Sequence, residues 1–123
     1  MFHIHATTHF SAAHHLTGYD GNCSNIHGHN WRIKACLEAE CLDDIGISID
    51  FRTLKKSLNE LVQEMDHAYL NDLSVFRDIN PTSEQIARYL YKQLQSRFDD
   101  TEQTRVVSVE VAENETSAVV YFE

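Results

Sequence analysis

The chain has 123 residues, 42% of them hydrophobic, which suits one domain (residues 1–123) with a real core. Its formal charge of −9, from 10 basic and 19 acidic side chains, speaks against a nucleic-acid-binding or anionic-membrane surface. An anionic substrate then has to be met by local positive charge, such as a metal. One Pro and four Gly exclude a linker-rich or disordered chain, and no apolar run approaches the ~20 residues needed to span a bilayer.

The opening Met1-Phe2-His3-Ile4-His5 lacks the basic and apolar regions of a signal peptide. Cys23, Cys36 and Cys41 are odd in number and form no CxxC pair, so reduced thiols in a cytoplasmic protein are expected.

From Phe2 to Ala12 the chain reads as a strand, with Phe2, Ile4, Ala6, Thr8 and Phe10 alternating with His3, His5, Thr7 and His9. The segment Thr17-Gly18-Tyr19-Asp20-Gly21-Asn22 is a turn-rich loop. A second strand is expected from about His29 to Glu40, with Trp31, Ile33, Ala35, Leu37 and Ala39 on one face. A short extended piece, Ile47-Ser48-Ile49, leads to Asp50, a helix N-cap. Leu54, Leu58, Leu61, Val62 and Met65 recur at helical spacing over Phe51 to Met65, which puts Asp66-His67 at the end of that helix. A second helix starts near Pro81, where Thr82 and Gln85 have capping-box spacing, and buries Ile86, Tyr89, Leu90, Leu94 and Phe98. Val106–Val111 and Ala118–Phe122 close the chain as strands. The order ββααββ specifies an α+β fold, a four-stranded antiparallel sheet with two helices on one face. Its two open edges favour oligomerisation that continues the sheet.

The chemistry concentrates in Cys23-Ser24-Asn25-Ile26-His27-Gly28-His29 and in the His14-His15 pair upstream. On a strand His27 and His29 project from one side. A third imidazole completes a three-histidine zinc site with an open fourth position, as catalytic zinc requires. Either His14 or His15 is adjacent enough to be that third ligand, and His14 shares strand parity with Phe10 and Ala12. His3, His5 and His9 read as exposed histidines, with a second cluster as the alternative. Cys23 lies in a polar loop, which is no core context, and a nearby zinc and imidazole would populate its thiolate. At a helix C-terminus His67 is favoured but Asp66 is not, which points to a duty such as orienting the imidazole. A Cys-His-Asp hydrolase could be drawn from the same residues, but neighbouring Asp and His usually point in different directions. By default Glu113 is a solvated carboxylate, and Thr82 and Ser83 are helix-start residues.

These motifs resemble the 6-pyruvoyl-tetrahydropterin synthase/6-carboxytetrahydropterin synthase family, of tunnelling (T-) fold architecture. The segments that carry the resemblance are Phe10-Ser11-Ala12-Ala13-His14, Cys23-x3-His27-Gly28-His29, Ile49-Asp50-Phe51, Met65 to Asp72, Asn80-Pro81-Thr82-Ser83-Glu84 and Val111-Ala112-Glu113. The three-residue gap after Cys23 is similar to the bacterial 6-carboxytetrahydropterin synthase branch. The resemblance implies Zn2+ on His14, His27 and His29, Cys23 as catalytic base with Asp66 and His67, and a pterin ring held by Glu113 with help from Thr82 and Ser83. It also implies a homohexamer, a dimer of trimers with active sites between subunits. The implied reaction turns 7,8-dihydroneopterin triphosphate into 6-carboxytetrahydropterin, acetaldehyde and triphosphate, feeding queuosine and other 7-deazapurine synthesis. Many members of this branch carry a basic residue beside the cysteine. Here those places hold Asn22, Ser24 and Asn25, so Arg32, Lys34 or a neighbouring subunit's group has to take that part. The rival readings are a 6-pyruvoyl-tetrahydropterin synthase or related side-chain lyase, and a non-catalytic zinc module closed by Cys23 as fourth ligand.

Overall fold

The computed structural model describes residues 1–98 and 103–123. Two long strands dominate it: β1 (Phe2–His14) and β2 (His27–Ala39), paired antiparallel without a break from Phe2↔Ala39 to His14↔His27. Both run two residues further into the intervening loop than their hydrophobic alternation marks. The extra residues are histidine, glycine and alanine, which carry no strand pattern but still pair.

α1 (Phe51–Gln63) follows a turn around Gly46, where φ is 84° and Asp43 Oδ1 accepts from the N–H groups of Ile45 and Ile47. The Ile47-Ser48-Ile49 piece pairs with no strand among the described residues and bends at Ser48 and Ile49. Asp50 caps α1 as its position predicts, accepting from Arg52 N–H at 2.8 Å. The helix stops at Gln63, so Asp66 and His67 lie in the turn beyond it. That turn leads into β3 (Ala68–Tyr69), a strand of two residues parallel to β1. It makes the sheet five-stranded, one more than the hydrophobic pattern shows, because two residues are too few to alternate.

α2 (Ser83–Phe98) starts with Thr82 Oγ1 accepting from Gln85 N–H at 3.2 Å. Only this half of the capping box forms, since Thr82 N–H donates to Asn80 O instead. β4 (Thr104–Ala112) pairs with β2 through one register shift, and β5 (Ala118–Tyr121) pairs with β4. The sheet order is β3-β1-β2-β4-β5.

Both helices pack on one face of the sheet. Ile4, Ala6, Phe10, Trp31, Ile33, Ala35, Leu37, Val109 and Val111 meet Leu54, Leu58, Leu61, Ile86, Leu90 and Leu94 in one core. Each large side chain buried there contributes roughly 1.5–3 kcal/mol. Alternation along β1 and β2 carries this buried row to the end of the pair, where it changes from apolar residues to histidine. Among the described residues no helix is long and apolar enough to cross a membrane.

Candidate metal centre and active site

His14 is the last residue of β1 and His27 the first of β2, and they face each other in the register; His29 faces Ala12. All three side chains share the helix-facing side of the sheet, His29 one row and His14 and His27 two rows beyond the Phe10–Trp31 pair. Their ring centroids are 4.5 Å apart for His14–His27, 5.2 Å for His14–His29 and 4.8 Å for His27–His29. One ring nitrogen from each lies within 4.8 Å of the others. Trp31, fully buried, closes the inner side, edge-on to His14 at 5.0 Å and to His29 at 5.1 Å.

Two of the rings are oriented by backbone carbonyls. His14 Nδ1 lies 2.8 Å from Pro81 O, and His27 Nδ1 lies 2.7 Å from Asn25 O. A carbonyl oxygen only accepts, so each Nδ1 carries the proton and each Nε2 keeps a free lone pair. This is how ligating histidines are usually held. His14 Nε2 and His29 Nε2 are buried with no hydrogen-bond partner among the described residues. An unpaired buried group of this kind costs about 1–3 kcal/mol, and a divalent cation would take up both lone pairs. Burial pushes the pKa of His14 below the ordinary 6.5, against the Pro81 hydrogen bond, and does the same at His29, against the pull of Glu113. Both rings therefore stay in the neutral form that binds metal. The three histidines fit a metal ion and leave a coordination position open to a ligand.

Glu113 immediately follows β4, and Ser83 opens α2. Ser83 Oγ donates to Glu113 Oε1 at 2.9 Å, while Glu113 Oε2 lies 3.7 Å from His29 Nε2. The carboxylate is a third exposed, so oxygens remain for an incoming donor. The neighbouring Thr82 hydroxyl is engaged as the cap of α2.

Cys23 sits half-buried in a 3-10 turn, Asn22–Ser24, within the β1–β2 connection. Its carbonyl accepts from Leu16 N–H at 2.8 Å. Among the described residues the close group of ligand atoms is the three histidines alone, and the Cys23 thiol is not in it. The arrangement thus lacks the fourth ligand that a closed structural zinc site requires.

Asp66 and His67 are joined, with His67 Nδ1 3.0 Å from Asp66 Oδ2. Sequence neighbours seldom meet this way. Here His67 adopts φ 58°, in the left-handed region that non-glycine residues rarely enter. Ser11 anchors the turn: its N–H donates to Asp66 Oδ1 at 3.0 Å, and its carbonyl accepts from His67 N–H at 2.6 Å. The Ser11 N–H, with His67 adding to it, holds the Asp66 carboxyl below the usual carboxylate range. The His67 ring is 83% exposed and borders a depression lined by Ser11, Ala13, Gly28 and Asn30, which alternate onto the face away from the helices, and also by Ala12 and His29. The fold thus brings together His14, His27, His29, Ser83 and Glu113, and holds Asp66 and His67 as a pair in the turn after α1.

The other histidines take other parts. His15 is turned away from the cluster and pairs with the Tyr69 hydroxyl, which settles His14 as the third member. His3 pairs with Glu38, and His3, His5 and His9 form no second cluster among the described residues. Arg32 is engaged with Glu110 at 3.4 Å. The orienting carbonyls of Pro81 and Asn25 and the Trp31 floor escape sequence reasoning. Any residue can supply a carbonyl, and only the register places Trp31 under the rings.

A family model described as 6-pyruvoyl tetrahydropterin synthase matches residues 3–123. A Synechocystis 6-carboxy-5,6,7,8-tetrahydropterin synthase is 35% identical, covering 99% of this chain and 94% of its own length. The Bacillus subtilis protein of the same name is 33% identical, covering 98% of this chain and 84% of its own. The solved 6-pyruvoyl tetrahydropterin synthase of Caenorhabditis elegans superposes with a TM-score of 0.87 at 27% identity, covering 99% of this chain and 95% of that one.

Proposed function

This chain belongs to the 6-pyruvoyl tetrahydropterin synthase family, and from that premise we propose that it is a zinc-dependent 6-carboxy-5,6,7,8-tetrahydropterin synthase. Its substrate is 7,8-dihydroneopterin triphosphate, and its products are 6-carboxy-5,6,7,8-tetrahydropterin, acetaldehyde and triphosphate, in the service of queuosine and 7-deazapurine synthesis. The observation that carries this reading is the placement of Glu113, a carboxylate suited to a pterin, beside three histidines with unspent lone pairs. The near end-to-end similarity to the two bacterial proteins of that name supports the carboxy branch.

Glu113 accepts two parallel hydrogen bonds from the 2-amino group and adjacent ring N–H of the pterin, a bidentate geometry. Ser83 fixes the carboxylate for that role. Zinc on His14, His27 and His29 supplies a Lewis acid toward the hydroxyl oxygens of the substrate's side chain. Cys23, as thiolate, takes and returns protons at the side-chain carbons. His67, oriented by Asp66, is the partner acid or base. In this reading the working site joins Cys23 of one subunit to the partner subunit's His67. The assembly that does so is a homohexamer, a dimer of trimers.

The C. elegans likeness favours a second reading, a 6-pyruvoyl tetrahydropterin synthase. Incubation of zinc-loaded protein with 7,8-dihydroneopterin triphosphate separates the two. Acetaldehyde with a carboxypterin supports the proposal, and a pyruvoyl product without carbon loss replaces it.

A further inference from the structure

Past His14 the strand bonding of β1 ends, yet the next three residues remain held on both edges. His15 N–H donates to Asn71 Oδ1 at 2.9 Å, and Asn71 Nδ2 donates back to His15 O at 3.0 Å. Two residues on, Thr17 N–H donates to Asn80 Oδ1 and Asn80 Nδ2 to Thr17 O, both at 2.8 Å. In a strand, alternate residues present both backbone groups to the same edge. The two asparagine amides therefore stand where a neighbouring strand's peptides would be. They continue the edge on which β3 pairs with Ala12 and Ala13. The residue between them faces the other way, and Leu16 N–H donates to Cys23 O at 2.8 Å.

The consequence is a fixed path from two side chains to the backbone of Cys23. Between Thr17 and Cys23 the loop turns through Gly18 and Gly21, both at positive φ. The asparagine ties at 15 and 17, beside the Tyr69 contact to the His15 ring, fix the backbone from which the Leu16 N–H holds Cys23. A side-chain amide offers a donor and an acceptor side by side for this two-point contact; a carboxylate lacks the donor. Asn71 and Asn80 lie in segments otherwise marked by Asp66-His67 and by Thr82-Ser83, and no part of the proposed chemistry uses them.

We propose that Asn71 and Asn80 are positioning residues that hold the Cys23 loop against the end of β1, setting where the thiol stands over the site. The proposal rests on the role given to Cys23 above.

The test compares zinc-loaded wild type with Asn71→Ala, Asn80→Ala and Asn80→Asp. Two quantities are read: the rate at which iodoacetamide alkylates Cys23 relative to the exposed Cys41 of the same molecule, and kcat and KM with 7,8-dihydroneopterin triphosphate. In both alanine variants the alkylation ratio rises at least about threefold, as half-buried Cys23 is released. There kcat falls about ten- to a hundredfold while KM, set by Glu113 and Ser83, stays within about twofold. Asn80→Asp, which keeps the acceptor for Thr17 N–H, falls between wild type and Asn80→Ala. An unchanged ratio in both alanine variants overturns the clamp. A raised ratio with unchanged kcat overturns the positioning role. Should an alanine variant not fold, Asn80→Asp decides by the same two readings. If wild type turns over no pterin at all, the assigned function fails, and the clamp stands or falls by the alkylation ratio alone.

Discussion

His14 and His27 face each other across the β1–β2 register with ring centroids 4.5 Å apart, and each has its Nδ1 bound to a backbone carbonyl. Each ring thereby keeps Nε2 for something outside the protein. The pairing puts the metal donors at the open end of the longest strand pair, continuous with the core row beneath.

His27→Ala is expected to remove bound zinc, and His14→Ala to remove it with a larger loss of stability, because His14 is 1% exposed and leaves a void. Metal analysis after gel filtration measures the first effect. The zinc-dependent rise in thermal midpoint measures linkage, worth about 4 kcal/mol for wild type at a thousandfold excess over Kd. Stoichiometric zinc in both variants would refute the assignment.

Cys23→Ala is expected to retain zinc and lose about 10²- to 10⁴-fold in turnover. The thiol stands outside the three-histidine group, so metal content and rate separate in this variant. Full activity sinks its assignment as base.

Glu113→Gln loses one of the two pterin hydrogen bonds and its charge. A charged hydrogen bond contributes about 1.5–3 kcal/mol, so KM rises roughly ten- to a hundredfold. Ser83→Ala frees Glu113 Oε1 and raises KM less. Steady-state kinetics decides, and equal KM values for wild type and Glu113→Gln remove Glu113 from the pterin site.

The metal-free protein is expected to lose stability as pH falls below the ordinary histidine value of 6.5. Burial lowers the folded pKa of His14 and His29, so in that range the unfolded chain binds more protons and stability rises with pH. Urea unfolding between pH 5 and 7 should show this slope in wild type and a shallower one in His29→Gln. Equal slopes would mean that the buried ring does not resist protonation.

Asp66 follows the same sign in a more acidic range. The Ser11 N–H and His67 depress its folded pKa from the ordinary 3.8. Its stabilisation is complete above that value and is lost as pH falls through the folded pKa. Asp66→Asn should therefore melt lower than wild type at pH 7, the gap closing in strong acid. A gap independent of pH points to packing rather than charge.

Much of this was legible in the residues. Alternation over β1 and β2 marks the buried face, and the i, i+4 leucines of α1 mark its stripe, because burial forces those periods. Parity ties His14 to Phe10 and Ala12, so its place beside His27 follows once the strands pair. The ends were not legible. Hydrophobic spacing reaches Met65, but the last turn of α1 opens after Gln63, and Met65 is buried from a turn. The contact of Asp66 with His67 depends on a left-handed φ that no pattern announces at a histidine. β3 pairs with β1 through backbone groups, which are the same in every residue.

Trp31 is the chain's one tryptophan, and its ring lies edge-on to two of the three imidazoles that form the metal centre. Ultraviolet emission from this protein therefore originates largely at the floor of that centre. A quenching ion such as copper(II), seated on the histidines, would dim the indole within contact range, while one captured elsewhere on the acidic surface would not. The molecule carries its own optical gauge of occupancy, with no label to attach and no other indole to subtract.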